Sequence, residues 1–469
     1  MKKFKRFRLV LFDETGLNAD HIKYLKLIIL AVAFGTVCFN ITGGVAMPGY
    51  LKLLGVSDFT YGLILAIGPA ATLTQVFVSY ILERTRKRKF IFMLSGILHR
   101  AAWLPFGLVP FIVPMAGVNL QIWIAVLFLM VNAFAGPFIN VSFLSFIVDL
   151  VPMNIRGRYF SVRQRLATIL GILGGLFTAF LLDRFSGFSG YALVFSIASV
   201  FGLLDILTFI FIKIPPMPEK TENIKFGKML ADVFSDKRYV KIICFVAYWS
   251  FAVNLAGPFY MVYTKTILNL SNTAITVLLQ IIPGVCMAFV LPMWGRALDK
   301  YGNKPVMIIS ARMTCFLPFF WFFNVPGSPF PIFIFSCVAG GLLSPGLDFG
   351  AQNVYLGQAP EKNRSMFVAI YSCVTSLFGI GFANAFGGWL LDNPLSRLED
   401  FNFTFFGGGF TRYNYLFVIT SLLRIIAAFI MLPRMITEEN IVPVKTVLAD
   451  AFYFVKRKRR LWGFKFKPR

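Results

Sequence analysis

Twelve long apolar stretches, separated by short polar segments, dominate this sequence. Each is long enough for a membrane-spanning helix, which needs about 20 consecutive apolar residues. We predict spans one to twelve at residues 27–51, 59–82, 90–114, 119–149, 166–182, 190–212, 242–264, 273–295, 305–325, 330–357, 366–391 and 413–433. The 469-residue chain is 57% hydrophobic and only 14% charged, whereas about 25% of the residues of soluble domains are charged. The sequence therefore predicts an all-α integral membrane protein without a large soluble domain.

The net charge of +25 is concentrated on one side of this map. If both termini lie inside, the inner segments carry 38 of the 46 Lys and Arg residues and 13 of the 21 Asp and Glu residues. The outer loops and the spans are each neutral. This distribution follows the positive-inside rule and predicts a multi-pass protein of the cell membrane, with cytoplasmic termini and anionic lipids at its inner face. No charge excess remains that requires nucleic acid.

Two polar segments flank the second half of the chain. Residues 215–241 carry apolar side chains at helical spacing, among them Phe226, Leu230 and Val233, and the tail contains the basic run 456–460. Both patterns are typical of helices that lie on the membrane face, although a tail that binds a partner protein is the alternative. The predicted organisation is a six-helix bundle at 1–214, a cytoplasmic amphipathic linker at 215–241, a second bundle at 242–434 and a basic tail at 435–469.

An internal repeat relates the two halves. An offset of 214 places Asn40 on Asn254, and an offset of 208 places Pro137 on Pro345. Further matches at similar offsets are Gly43 with Gly257, Ser57 with Ser271, Arg156 with Arg364, and Asp183 with Asp392. The matching residues are mostly of the rarer types, and a near-constant offset across most of six spans is hard to obtain by chance. The chain is therefore predicted to consist of two homologous six-helix halves.

The loops between spans carry recognisable motifs. After span eight the sequence reads Gly295-Arg-Ala-Leu-Asp299-Lys300-Tyr-Gly302-Asn-Lys304, and a degenerate copy with Glu83, Arg84 and Arg86 follows span two. This pattern resembles the signature of the major facilitator superfamily of secondary transporters. The elements Pro152-x-x-x-Arg156 and Pro360-x-x-x-Arg364 resemble two further loops of that family, and the resemblance covers nearly the whole chain.

The resemblance implies two bundles related by an axis along the membrane normal, which rock around a substrate held near mid-membrane. It places spans one, four, seven and ten around the cavity, and spans three, six, nine and twelve outside as supports. It also implies a cytoplasmic gate, for which the candidates are Glu83, Arg84, Asp149, Arg156, Asp299, Lys300 and Arg364. For residues 86–89, a solvated basic loop is an equally good interpretation.

Six ionisable residues lie inside spans, where charge is costly, so each is a candidate functional residue. Four of them lie on the supporting spans: Arg100, Asp205, Arg312 and Arg424. There we predict structural pairing, with Arg100 and Asp205 as the simplest pair. The alternative is that Arg312 or Arg424 reaches inward to hold an anionic substrate, since the planar guanidinium suits that task.

Asp348 lies on span ten, a cavity position, and its repeat mate is the neutral Asn140. Gln352 and Tyr355 follow at helical spacing and extend a polar stripe. A buried carboxylate can load and release a proton near neutral pH. We therefore predict that Asp348 couples transport to protons or holds a cationic substrate, while pairing with a neighbouring helix without a transport role stays open.

Asn40 and Asn254 occupy equivalent positions on spans one and seven, each three residues before a glycine. Paired amides facing one cavity can bind sugars, amides or carboxylates. An asparagine in a membrane bundle can equally form a hydrogen bond across helices. Both interpretations stay open, and the candidates for substrate or ion contact are Asp348, Gln352, Asn40, Asn140 and Asn254.

These features predict a monomeric secondary active transporter that moves a small solute, coupled to protons or another ion. The alternative is a transporter-like sensor or lipid-interacting protein without solute turnover. An enzyme is disfavoured, because the two histidines, His21 and His99, assemble no catalytic set and no phosphate-binding lysine motif occurs. The six cysteines are scattered without metal-ligand spacing, so we expect no cofactor and no metal.

Overall fold

The computed structural model describes residues 19–115, 117–215, 226–322, 332–360, 364–401, 404–405 and 408–435, and these residues are almost entirely helical. The α-helices of the first half are Ala19–Thr42, Ala46–Leu53, Asp58–Thr72, Gln75–Thr85, Arg88–Ala101, Trp103–Ile112, Val118–Leu150, Met153–Arg184 and Gly187–Thr208. The 3-10 helix Phe209–Phe211 ends span six. The basic tail predicted at 435–469 falls almost wholly outside the described residues.

The second half begins with the predicted amphipathic helix, which is present as Phe226–Ser235. Its further α-helices are Lys237–Asn254, Phe259–Thr266, Asn272–Thr276, Ile282–Tyr301, Asn303–Thr314, Leu317–Phe322, Ile332–Gln358, Arg364–Val374, Ala383–Asp392, Arg412–Ile426 and Leu432–Met435. The π-helical segments are Val277–Ile281, Thr375–Phe382 and Ala427–Met431, and Ser396–Phe401 is a 3-10 helix. A two-residue antiparallel ladder pairs Thr404 with Gly409 and Phe405 with Gly408.

Eleven helical segments in the described part of the chain are long and apolar enough to cross a membrane. They correspond to eleven of the predicted spans. The remaining one, span two, consists of two shorter helices that are interrupted at residues 73 and 74, shortly after Pro69. The hydroxyls of Thr72 and Thr74 donate to the carbonyls of Pro69 and Ala71, at 2.6 and 2.7 Å, so polar backbone groups at the interruption stay bonded within the membrane.

The helix breaks in the two halves follow the repeat that the sequence predicts. Span one breaks at residues 43–45 and span seven at residues 255–258. Just before each break, the side-chain amide of the equivalent asparagine donates to the carbonyl four residues earlier: Asn40 to Thr36 at 2.9 Å, and Asn254 to Ser250 at 2.8 Å. The two halves therefore share a detail of local structure as well as a sequence offset.

Contacts between residues divide the chain into two compact units. The first contains residues 1–223, 258–280 and 384–392, and the second contains 224–257, 281–383 and 393–469. Spans seven, eight and eleven pass from one unit to the other, each at or beside an interruption of its α-helix. Because these units group residues by contact rather than by repeat, the domain boundaries given above stay a prediction.

The inner part of the first unit is held by a cluster of aromatic and aliphatic side chains from spans one, three, four, five and six. Phe92, Phe146 and Phe209 form its centre, with Phe92 4.7 Å from Phe209 and 5.2 Å from Phe146 between ring centroids. All three side chains are almost completely buried. Lipid competes for apolar side chains in a membrane, so close aromatic packing of this kind supplies much of the helix association.

The predicted ion pair between spans three and six is present in the first unit. Arg100 Nη2 donates to Asp205 Oδ2 at 2.9 Å, and both side chains are largely buried. Two glycines make room for the pair: a methyl group added at Gly35 would lie 2.6 Å from the Asp205 carboxylate, and one at Gly202 would lie 2.7 Å from Arg100 Cδ. The pair thus connects spans one, three and six.

We expect that Asp205→Asn destabilises the protein by about 3–5 kcal/mol, because the buried Arg100 guanidinium then lacks a countercharge. Thermal unfolding of the purified protein in detergent measures the effect. Leu204→Ala, at a 42% exposed neighbouring position on the same helix, is the matched control and should change the melting temperature little. The double variant Arg100→Gln with Asp205→Asn should recover part of the loss; equal losses in all three variants would contradict the assignment.

Candidate functional site

Span ten carries the polar stripe of Asp348, Gln352 and Tyr355 on the continuous helix Ile332–Gln358. Pro345 lies inside this helix and removes one backbone donor. Side chains from spans eight and nine donate to carbonyls just before this proline. Trp294 donates to the Leu342 carbonyl at 2.8 Å, and the Ser310 hydroxyl donates to the Leu343 carbonyl at 2.6 Å.

Ser310 also accepts the backbone N–H of Leu347 at 2.9 Å. One hydroxyl therefore bonds to span ten on both sides of Pro345, immediately before Asp348. This arrangement fixes the direction in which the helix continues after the proline. Neither Ser310 nor Trp294 is a sequence-predicted site residue, since nothing in its local pattern distinguishes it from other polar residues in apolar spans.

A cavity of about 290 Å³ opens beside this stripe within the second unit. Its walls come from spans seven, ten and eleven. The lining residues are Phe245, Val246, Trp249, Ser250, Leu347, Asp348, Ala351, Gln352, Tyr355 and Tyr371. The structure therefore brings the predicted pair Asp348 and Gln352 to one cavity, together with Tyr355 of the same stripe and with aromatic residues of spans seven and eleven.

Asp348 has no hydrogen bond or ion pair with any residue in the described part of the chain. Its side chain is solvent-accessible because it faces the cavity. Asp205, in contrast, is bonded to Arg100. The two intramembrane aspartates thus differ: Asp205 is neutralised within the protein, and Asp348 is available to a proton or to a ligand.

Two stacked tyrosines form one wall of the cavity. The rings of Tyr355 and Tyr371 lie 3.8 Å apart between centroids, with an angle of 20° between their planes. Behind them is an apolar cluster that includes Tyr239, Phe367 and Val233, the last from the amphipathic helix Phe226–Ser235. The linker predicted to lie on the membrane face therefore also packs against the spans that form the site.

The asparagines predicted as ligand contacts have different surroundings. Asn254 donates to the carbonyl of Ser250, a residue that lines the cavity, so its amide lies one helical turn from the site. Asn40 belongs to the first unit, where its side chain lies 3.0 Å from the position of a methyl group added at Gly171. Asn140 is exposed on span four.

The arginines of the supporting spans in the second unit do not line this cavity. Arg312 lies over the ring of Phe429, with 4.7 Å between the guanidinium carbon and the centroid, and its Nε has no hydrogen bond in the described structure. Arg424 is 9% exposed. The geometry around Asp348 therefore gives no support to an arginine that holds an anionic substrate there.

The predicted cytoplasmic gate is described in part. Asp299 and Lys300 are exposed at the end of helix Ile282–Tyr301, and Lys300 Nζ donates to the Tyr301 hydroxyl at 2.8 Å. Arg84 is exposed near the end of helix Gln75–Thr85. The side chains of the other gate candidates lie outside the described residues, namely Glu83, Asp149, Arg156 and Arg364.

The basic loop after span two is more structured than a solvated loop. Arg88 is 3% exposed and donates to the carbonyls of Ser145 and Pro215, while Lys89 donates to the carbonyls of Ile210 and Ile212. Three of these four carbonyls, those of Ile210, Ile212 and Pro215, lie at or just after the end of span six, where a helix C-terminus favours positive charge. The solvated interpretation is therefore wrong for Arg88.

Arg86 occupies a position where the equivalent motif after span eight has a glycine. Its φ is +54°, and that of Gly302 is +85°, so both copies end their helix with a left-handed residue. The degenerate first copy thus keeps the positive φ at this position, whereas ψ differs, at 8° for Arg86 and 169° for Gly302. The left-handed conformation costs about 1 kcal/mol for a residue with a side chain.

Two further carboxylates make contacts that the sequence analysis does not predict. Within the first unit, Asp183 at the end of span five accepts the backbone N–H groups of Asn272 and Thr273, at 2.8 and 2.9 Å. Its repeat mate Asp392, at the end of span eleven, accepts the backbone N–H of Phe59 at 2.7 Å. The repeat offset pairs Asp183 with Asp392, and this match was the sequence feature that could have identified both as functional candidates.

The fold and the cavity define a multi-pass membrane protein with two related six-helix halves and an internal polar site. The model of the Major Facilitator Superfamily matches residues 27–287 and 250–467. The chain therefore belongs to the major facilitator superfamily, a family of membrane transporters, and its fold is the family's twelve-helix fold. No curated protein sequence matches the chain significantly.

Solved structures with the same fold include three transporters. A bacterial homolog of the human lysosomal transporter Spinster, inward-facing and occupied, has a TM-score of 0.66 and 17% identity, and the match covers 91% of this chain and 100% of that one. The D-xylose-proton symporter has a TM-score of 0.63 and 16% identity, and the match covers 90% of this chain and 99% of that one. The nucleoside transporter NupG has a TM-score of 0.61 and 13% identity, with 88% of this chain and 100% of that one covered. At these identities the likeness concerns the fold.

Proposed function

We propose that this protein is a secondary active transporter that moves a small solute by alternating access and couples that movement to protons through Asp348. The observation that carries the proposal is a carboxylate on the wall of a membrane-embedded cavity without a partner in the described structure. Family membership supports transport as the general function. The names of two structural relatives, a nucleoside transporter and a D-xylose-proton symporter, are consistent with a small solute.

The physical basis of coupling is the cost of an uncompensated charge in the membrane, which is several kcal/mol at the centre of a span. An unpaired carboxylate that must change its exposure during transport therefore favours states in which a proton or a ligand neutralises it. This requirement links the rocking of the bundles to the occupancy of Asp348. Gln352 and Ser250, which line the same cavity, supply hydrogen-bonding groups that can orient a solute.

The other predicted roles become part of this proposal. Asn254 supports the site through Ser250, and Asn40 and Asn140 contribute from the first half as candidates for substrate contact. Glu83, Arg84, Asp149, Arg156, Asp299, Lys300 and Arg364 form the cytoplasmic gate. We further propose a monomer in the cell membrane, with both termini in the cytoplasm and anionic lipids at that face. The positive charge of the inner segments supports this orientation and the contact with anionic lipids.

The coupling role predicts that Asp348→Asn abolishes proton movement driven by substrate. Proteoliposomes that enclose a pH-sensitive dye are exposed in turn to sugars, nucleosides, amino acids, organic cations and organic anions. With the native protein, at least one class should cause a proton flux, because substrate movement changes the protonation of Asp348. With Asp348→Asn, that flux should fall to the level of empty liposomes.

Asp236→Asn is the matched control. It removes a carboxylate that caps helix Lys237–Asn254 through the backbone N–H groups of Arg238 and Tyr239, and asparagine caps equally well. This variant should keep the full flux. Substrate-driven proton flux of native size in Asp348→Asn would refute the coupling role, and solute movement without any proton flux in the native protein would refute proton coupling altogether.

A further inference from the structure

We propose that the cavity around Asp348 binds a small organic monocation, and that this cation and a proton replace each other at the carboxylate. The inference rests on the proposed transport function, because it names the substrate class of the same site. It follows from the charges on the cavity wall, the aromatic side chains that surround Asp348, and the size of the space.

The charges on the wall favour a cation. Asp348 contributes one negative charge, and no lysine, arginine or histidine is among the lining residues of the described structure. The titratable neighbours are Tyr355 on the same helix and Tyr371 on span eleven, while span seven contributes none. An anionic ligand would meet the like charge of the carboxylate, whereas a monocation would neutralise it.

The aromatic side chains add a second source of affinity for positive charge. Phe245, Trp249, Tyr355 and Tyr371 all line the cavity, and the last two form the stacked pair. The face of an aromatic ring carries negative potential and attracts ammonium groups within about 6 Å of its centre. A cavity lined by a carboxylate and by such rings recognises an alkylated or aromatic ammonium group better than a neutral sugar, which needs many more hydrogen-bonding partners.

The size of the cavity limits the ligand. About 290 Å³ is near the lower end of the range for small-molecule pockets, about 300–1,000 Å³. A single-ring amine or a small quaternary ammonium ion fits this space. Gln352 and Ser250 are placed to accept or donate hydrogen bonds to a substituent of the ligand.

The exchange balances in charge. The protonated carboxyl group of Asp348 releases its proton when the cation binds, and the carboxylate that remains forms an ion pair with the cation. When the cation leaves, a proton from the solution restores the neutral acid. Because one site holds either one proton or one monocation, the two move in opposite directions across the membrane, one for one.

The test uses three probes that share a phenyl ring and differ in charge: benzyltrimethylammonium, 2-phenylethanol and 3-phenylpropionate. Isothermal titration of the purified full-length protein, in two buffers of different ionisation enthalpy, gives both affinity and the number of protons released. We expect the cation to bind at least about tenfold more tightly than the other two, which corresponds to one charge-assisted contact. Its binding should release protons at a pH at which the carboxyl group is protonated.

Two test variants and one control variant make the test specific. Asp348→Asn should weaken binding of benzyltrimethylammonium by about tenfold or more and abolish proton release, whereas Asp236→Asn should change neither. Trp249→Leu should weaken binding of the cation more than binding of the alcohol, because it removes an aromatic ring face but keeps an apolar side chain. Equal binding of the three probes, tightest binding of the anion, or no measurable binding of the cation would overturn the proposal.

The outcomes separate this inference from the proposed function. If the cation binds and releases protons but causes no proton flux in proteoliposomes, the cation site is supported and the transport function is refuted. Proton flux driven by a sugar or an anion, together with no cation binding, would support proton-coupled transport and refute the substrate class.

A second inference comes from the carboxylates at the predicted outer ends of spans five and eleven. Asp183 belongs to the first repeat and caps the helix that starts span eight in the second repeat. Its mate Asp392 belongs to the second repeat and caps the helix that starts span two in the first. We name these two contacts the cross-repeat caps.

Each capped helix already has an ordinary cap of its own. Ser57 accepts the backbone N–H of Thr60 at 3.2 Å, and Ser271 accepts that of Ala274 at 3.1 Å. The carboxylates therefore bond to the remaining free N–H groups, at the positive end of each helix dipole. Asn272 strengthens one cap by donating its side-chain amide to Asp183 at 2.8 Å.

We infer that the cross-repeat caps are a latch that holds the predicted outer side closed and must release during each transport cycle. Both caps join an element of one repeat to an element of the other, so movement of one repeat against the other would break both. Because the same movement breaks both caps, loss of one cap lowers the cost of that movement and therefore of opening at the other.

Hydrogen–deuterium exchange, read by mass spectrometry, tests this latch. Asp183→Ala should increase exchange in residues 271–276, where it removes the capping bonds, and also in residues 57–62, which Asp392 caps. Asp392→Ala should produce the reciprocal pattern. We expect rates to rise by about tenfold at both places, corresponding to the loss of one charge-assisted bond in the closed state.

Glu399→Ala is the matched control. Glu399 also caps a helix, since it accepts the backbone N–H of Arg412 at 2.8 Å, but both residues belong to the second repeat. It should raise exchange near residue 412 alone. If each aspartate variant affects only its own segment, the caps are local and the latch is refuted; unchanged exchange at both segments refutes it as well.

Discussion

The cost of an unsatisfied polar group in hydrocarbon governs this structure. At several interruptions in the described spans, a polar side chain donates to a nearby backbone carbonyl: hydroxyls in span two, asparagine amides in spans one and seven, and Ser310 with Trp294 beside Pro345 in span ten. These bonds keep polar backbone groups satisfied in an apolar environment.

Asp348 departs from this rule, and the departure is informative. The protein satisfies Asp205 with a buried arginine and two glycines that make room for the pair, so it is able to neutralise a carboxylate in a span. At Asp348 it places tyrosines, a tryptophan and an open cavity instead. A cost that the fold does not offset internally has to be offset from outside, and this is the property expected of a binding group.

Much of the fold was predictable from the sequence because it depends on local chemistry. Apolar length predicts the spans, and the scarcity of charge predicts that Arg100 finds Asp205. Helical spacing also brings Gln352 and Tyr355 to the face of Asp348. The contacts of Asp183 and Arg88 were not predictable in the same way, because their partners are backbone groups, and no residue type marks a free N–H or carbonyl at a distant helix end.

The repeat connects these observations. Duplication gives each half a helix break after the equivalent asparagine and a carboxylate at the end of span five or eleven. In the proposed mechanism, features that occur in both halves, such as Asn40 with Asn254 and Asp183 with Asp392, serve the movement common to both. A carboxylate that occurs in one half and lines the cavity is then a candidate for the ligand. Asp348 is such a feature, since its mate is the neutral Asn140. The asymmetry of that pair, within otherwise matched halves, is therefore the strongest sequence-level argument that span ten carries the specificity of this transporter.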